Sequence, residues 1–241
     1  MTENSMAGRN DLTIYDRNAN EWDDADSRTF RSLHSVGTSR LDRLRAWLSK
    51  DDWGIVADIG SGGGILASRI ATHAGHVYAF DRSQASLDRL AQRSIPSVTC
   101  VRADATCLPI SSGFVDIALL ADIIEHVEDW PAVLSEAARI VKPGGHVYVS
   151  TINRSKRATV LAVHLAEGLG YVPKGTHDPA LFVRPEELER VGRENALVLA
   201  RITGERPRVM QTLMRRRLVL QSSSSTAVSY CALFRKAERA A

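Results

Sequence analysis

The stretch DIGSGGGILAS, Asp58–Ser68, sets an acid in front of four glycines. Without Cβ atoms, such a turn lets backbone come close to a ligand. A triphosphate cradle needs a closing lysine, and none occurs in or just after Gly60–Gly64. The dinucleotide fingerprint needs a third glycine where Ile65 stands; here the order is Gly60-x-Gly62-x-Gly64. Asp58 would repel a diphosphate but attract an ammonium group. Asp81, at the end of the next apolar run, is placed to accept hydrogen bonds from ribose hydroxyls. In RADA, Asp104 is an acceptor for an adenine amino group, with the backbone of Ala105 beside it. Taken singly, Asp81 and Asp104 read as helix caps; taken together with the loop, they read as a nucleoside site.

A second constellation lies in DIIEHV, where Asp122, Glu125 and His126 stand at i, i+3 and i+4. One helical turn would put all three on one face. Two carboxylates and an imidazole suit Mg²⁺ or another divalent cation in an open site, where the ion lowers the pKa of a bound hydroxyl. Without a metal, His126 is a general base with Glu125 beside it. A third reading has Glu125 and His126 only capping the turn or touching a cofactor.

The elements that must hold these residues alternate. GIVADIG, HVYAFD, SVTCVRAD, VDIALLAD and HVYVST read as strands. ILASRIATHA, SQASLDRLAQRS (N-capped by Ser83) and WPAVLSEAARIV read as helices between them. Five strands alternating with helices predict an α/β fold with a doubly wound, mostly parallel sheet, its ligand site beyond the strands' carboxyl ends. Apolar spacing over Ser27–Lys50 predicts one or two amphipathic helices, residues 1–12 read as a mobile polar tail, and QSSSST (Gln221–Thr226) reads as a connection.

The 241 residues suit one substantial domain. Basic residues number 31 against 28 acidic, an excess too small to point to nucleic acid. Three cysteines without CxxC spacing argue against a disulfide framework or structural zinc, and for a reducing, cytoplasmic setting. The polar N-terminus is not a secretory signal, and no apolar run is long enough to span a bilayer.

The order acid, GxGxG, acid, DA resembles the class I S-adenosyl-L-methionine-dependent methyltransferases, a Rossmann-like fold built on a seven-stranded sheet. Further stretches are similar to the ubiquinone-biosynthesis O-methyltransferase family: YDRNANEWDD, LHSVGTSRL, DIGSGGGILA, DIIEHVEDW, VKPGGHVYVSTINR and AEGLGYVPKGTHDPALFVRPEEL. The resemblance covers roughly residues 15–190. It implies S-adenosyl-L-methionine as methyl donor, with contacts from Arg40, Gly60, Asp81 and Ala121. It also implies transfer to a phenolic or catechol-like hydroxyl of a polyprenylated quinone precursor. Organisation follows as 1–50 tail and helices, 51–153 donor-binding core, 154–185 an inserted lid, and 186–241 completion of the same domain. This chain departs from the family at Glu21-Trp22, where two tryptophans are usual, and at Gly37-Thr38-Ser39, where Asn-Pro precedes the arginine. It has Asp122 where relatives carry Glu, and the match fades after Gly204.

The lid sequence begins with Arg154, Lys156 and Arg157 and continues into ATVLAVHLAEGLGYV. A basic edge followed by an apolar helix suits either a bilayer interface or closure over a lipid-tailed acceptor; a core-packed helix is the plainer alternative. Arg215-Arg216-Arg217 would add attraction to headgroups. His177 and Asp178 in GTHD either contact the acceptor or fix the loop's own turns. The expected setting is cytoplasmic, peripheral on the inner face of the membrane, near other quinone-biosynthesis enzymes.

Overall fold

The computed structural model describes residues 10–48 and 53–238. Strands β1 (Ile55–Ile59), β2 (His76–Asp81), β3 (Val98–Arg102), β4 (Val115–Ala121) and β5 (Val141–Ile152) pair in parallel in the order 3-2-1-4-5. The sheet continues with β8 (Ser229–Lys236), β6 (Leu197–Pro207) and β7 (Leu220–Ser223), each antiparallel to its neighbour. All five expected strands are present. The sheet has eight strands rather than seven, because part of the serine tract read as a connection pairs as β7 with Gly204–Pro207. Serines without apolar alternation give no strand signal; the neighbouring edge supplies the hydrogen bonds.

Helices α2 (Arg31–Leu48), α3 (Ile65–Ile70) and α4 (Gln84–Gln92) cover one face, and α5 (Trp130–Ile140) and α7 (Pro185–Glu194) the other. Period-two alternation divides each central strand between two cores. In β4, Ile117 and Leu119 pack with Leu44, Leu66 and Leu90, while Ala118 and Leu120 pack with Val133, Leu134 and Leu188. Ser83 caps α4 as expected, accepting from the Ser86 N–H at 3.1 Å. The expected Ser27–Lys50 helical stretch forms one helix, α2; Lys50 lies outside the described residues.

Three further pieces complete the described chain. Short helix α1 (Thr13–Arg17) belongs to a strap that begins at Asn10. Residues 10–12 are pinned, correcting the reading of a mobile tail: the Asp11 N–H donates to the Gly175 carbonyl at 3.0 Å, and Asn10 bonds His126. Residues 1–9 lie outside the description. After β5, α6 (Lys156–Ala158) runs into a π-helical stretch, Thr159–Glu167. Ala158 and Val163 pack on Phe182, while Val160, Leu165 and Leu169 stay exposed. Finally α8 (Val209–Arg215) links β6 to β7.

Candidate active site

A cavity of about 480 Å³ opens at the carboxyl ends of β1, β2, β3 and β4. Its wall takes in Arg40, Asp58, Gly60, Gly62, Asp81, Asp104, Ala105, Ala121, Asp122 and His126. Gly64, Glu125, His177 and Asp178 are not part of it. Gly60 has φ +77°, and a Cβ there would lie 2.4 Å from Ile123 Cδ1. Gly62 has φ +52° beneath the Trp22 ring, and its N–H donates to Asp81 Oδ2 at 2.8 Å. Gly64 serves another purpose: with φ +74° it starts α3 against Leu90, which takes it off the wall.

Three of the acids on the wall, Asp58, Asp81 and Asp104, differ in state. Asp81 is braced by the Gly62 and Ser83 N–H groups, both at 2.8 Å, and burial raises its pKa. Each of its oxygens has a second lone pair for a hydroxyl donor. Asp104 accepts from the Thr106 hydroxyl (2.7 Å) and N–H (2.8 Å); the Thr106 hydroxyl and backbone hold it below the ordinary carboxylate range. Asp58 is buried, and its Oδ2 has no hydrogen-bond partner among the described residues. Burial, helped by the charge of Asp81, pushes it up to about 7. A buried carboxylate with an unused oxygen is a site waiting for a donor, and a cationic ammonium satisfies it.

Arg40, from the middle of α2, is clamped rather than free. Its Nε and Nη2 donate to Asp122 at 3.0 and 2.8 Å, and Nη1 donates to Glu205 of β6. Burial opposes its charge, but Asp122 and Glu205 outweigh burial and hold its pKa above the ordinary range. Glu205 is itself buried. No sequence signal marked it, because it follows the point where the family match fades.

The expected helical face for Asp122, Glu125 and His126 does not form. Asp122 takes a left-handed φ of +55°, and the turn after it is a single 3₁₀ turn, Ile124–His126. Asp122 and His126 therefore face the cavity while Glu125 lies behind the wall, accepting from the Thr151 hydroxyl at 2.8 Å. Burial and then Asp122 push Glu125 up to about 8. Both oxygens of Asp122 are already engaged by Arg40. Among the described residues no three His, Cys, Asp or Glu side chains come together as metal ligands. As arranged, the trio does not fit a divalent cation.

Asn10 brackets His126. Its Nδ2 donates to the His126 carbonyl at 2.9 Å, which leaves its Oδ1 facing His126 Nδ1 at 2.8 Å. The carbonyl can only accept, so the amide orientation is fixed; Oδ1 can only accept, so Nδ1 carries the proton. Burial, then His177, drops the His126 pKa to about 3. The imidazole is neutral and its lone pair sits on Nε2.

Behind it, the His177 ring stacks on His126 at 5.5 Å between centroids. His177 Nδ1 and its backbone N–H bond Glu167 Oε1, both at 3.0 Å, and the Gly175 N–H bonds Glu167 Oε2. Asp178 caps the Pro179–Leu181 turn through the Ala180 N–H at 2.9 Å. Both residues thus make hydrogen bonds within their own loop. Composition alone also missed the strap: Leu12, Thr13, Tyr15 and Asp16 line the cavity, and the Ser83 hydroxyl donates to Asp16. Tyr15 stacks on Trp22 at 5.8 Å, and YDRNANEWDD was the stretch that could have located them.

Comparisons with known proteins fit this geometry. A family profile described as a methyltransferase domain matches residues 57–149. A ubiquinone biosynthesis O-methyltransferase from Chromobacterium violaceum is 35% identical over 192 residues, covering 77% of this chain and 82% of the relative. One from Leptothrix cholodnii is 32% identical over 233 residues, covering 94% and 96%. This chain belongs to the ubiquinone biosynthesis O-methyltransferase family. It is accordingly an S-adenosylmethionine-dependent O-methyltransferase with the class I fold. Among solved structures, magnesium protoporphyrin IX methyltransferase from Synechocystis PCC 6803 superposes with a TM-score of 0.66 at 18% identity, covering 93% of this chain and 95% of that one. A possible histamine N-methyltransferase from Thermotoga maritima gives 0.67 at 19%, covering 92% and 98%. At such identities the likeness speaks for the fold alone.

Proposed function

We propose that the protein methylates a phenolic or catechol-like hydroxyl of a quinone precursor bearing a polyprenyl tail. The observation that carries this reading is His126 on the same cavity wall as the glycine turn and the three strand-end acids. The cradle fits S-adenosylmethionine: Asp58 offers its unpartnered oxygen to the ammonium, Asp81 its lone pairs to the ribose, and Asp104 with Ala105 the adenine edge. The bound donor supplies a methyl group on a cationic sulfur. The chain's own task is to place the acceptor oxygen in line and to receive its proton.

His126 suits that task despite its low pKa. A phenol that is giving its lone pair to a methyl carbon becomes strongly acidic, so a neutral imidazole in contact is base enough in the transition state. The tautomer that Asn10 imposes leaves Nε2 free to accept. Glu125 stabilises the turn from behind. Turnover that survives rigorous chelation is expected; loss of turnover restored by Mg²⁺ would mean that Asp122 leaves Arg40 to bind the ion, and would remove this base mechanism.

The acceptor's tail is the reason for the lid. Lys156, Arg157, Val160, Leu165 and Leu169 are exposed on one short segment, which supports closure over a lipid tail at a membrane surface. Among the described residues no helix is long and apolar enough to cross a membrane. Deleting the gene and reading quinone intermediates by mass spectrometry tests the acceptor class. A precursor lacking one methyl group should accumulate and disappear on complementation with the wild type but not with His126→Ala. An unchanged quinone profile would defeat the proposal.

A further inference from the structure

Helix α8 carries four large apolar side chains that none of the described residues covers: Val209, Met210, Leu213 and Met214 are 66%, 70%, 52% and 77% exposed. They stand at i, i+1, i+4 and i+5, one face of the helix. The opposite side is fastened to the protein by Thr212, which is buried and accepts from the Val219 N–H at 3.1 Å. This outward apolar face is therefore held in place by its inner side.

Its charge has one sign. Arg206, Arg208, Arg215, Arg216 and Arg217 flank the helix, with no acid between Arg206 and Arg217. The preceding acid, Glu205, is buried against Arg40. Apolar side chains on a short helix, ringed by arginines, match the layered chemistry of an anionic bilayer: acyl chains beneath, phosphates around. A second copy of the chain fits poorly. A two-fold contact through this face would set arginines against arginines, and a seven-residue helix presents far less than the roughly 800 Å² per partner of a stable interface.

The helix also lies close to the lid. The Leu218 N–H, just past α8, donates to Ser32 Oγ at 3.1 Å, and Arg31 donates to the carbonyl of Gly170 at the lid's end at 3.3 Å. Adjacent residues of α2 thus hold the ends of both exposed apolar segments. The next residue, Leu33, lines the cavity.

From this geometry we infer that α8 is a docking element for anionic lipid bilayers, forming with the lid one surface beside the cavity mouth. This deepens the reading of a lipid-tailed acceptor and rests on that reading for its purpose. Vesicle binding needs neither acceptor nor turnover, so either can fail without the other.

The test is flotation of the full chain with vesicles of phosphatidylcholine alone or mixed equally with phosphatidylglycerol. The wild type should float with the mixed vesicles and much less with the zwitterionic ones. Met210→Glu with Met214→Glu should cut binding to the mixed vesicles at least tenfold with an unchanged melting temperature, since both side chains are exposed. Arg215→Gln with Arg217→Gln should remove the preference for anionic lipid. Three outcomes overturn the inference: no flotation of the wild type; full binding by the double methionine variant while Val160→Glu with Leu165→Glu abolishes it; or a dimer that the methionine variant dissolves while vesicle binding persists.

Discussion

Replacing Asp58 with Asn separates stability from affinity, because the two should move in opposite directions. In the unfolded chain the carboxyl ionises near 3.8, whereas in the folded protein burial holds its proton until about 7. As pH rises between those values the unfolded state loses the proton first, so the empty protein is progressively destabilised. At about 1.36 kcal/mol per unit, some three units amount to about 4 kcal/mol above pH 7. Asn carries no such penalty. Asp58→Asn should match the wild type in urea unfolding near pH 4 and exceed it by up to that amount at pH 8. Its affinity for S-adenosylmethionine should fall, because the ammonium loses a charged partner, a contact of about 1.5–3 kcal/mol, or roughly tenfold to a hundredfold in Kd. Titration calorimetry of the wild type should show binding tightening through pH 7 as Asp58 ionises, and the variant should lack that rise. A variant that binds as well as the wild type, or is less stable at pH 8, would refute the reasoning.

Other expectations are simpler to state. His126→Ala should lower kcat by about 10²–10⁴-fold while leaving the cofactor Kd unchanged by calorimetry; an equal loss of cofactor binding would assign His126 to the donor side instead. Glu205→Ala, which strands part of the Arg40 guanidinium, should cost about 3–5 kcal/mol in urea unfolding, and Glu205→Gln clearly less. Gly62→Ala should destabilise the protein by at least about 1 kcal/mol and weaken cofactor binding, since the residue has φ +52° and its methyl would strike the Trp22 ring. A thermal shift without cofactor and calorimetry with it separate those two effects.

The sheet was legible because each central strand is a short apolar run ending in an acid or a turn, and burial on both faces leaves such runs nearly continuous. The glycine turn and Asp81 were legible for a related reason: both answer to backbone geometry at the end of a strand. What escaped were residues that matter through long-range pairing. Asn10 touches His126 across more than a hundred residues, and its polar surroundings look like any tail. Glu205 sits in a strand whose pairing with β8 cannot be inferred from alternation. The 122–126 turn was misjudged because i, i+3, i+4 spacing presumes a helix, and a left-handed Asp122 clamped by Arg40 breaks it. The π-helical stretch after β5 has both a packed and an exposed side, so the core and surface readings of its apolar sequence each describe half of it.

The central claim is that this cavity moves a methyl group from S-adenosylmethionine to a lipid-tailed phenol. Incubating the purified protein with methyl-deuterated S-adenosylmethionine and a short-chain prenylated catechol, then recording the product mass, tests it most directly. One deuterated methyl group should appear on the ring oxygen, dependent on the protein and lost with His126→Ala. Tight cofactor binding with no labelled catechol under the same conditions would contradict the account.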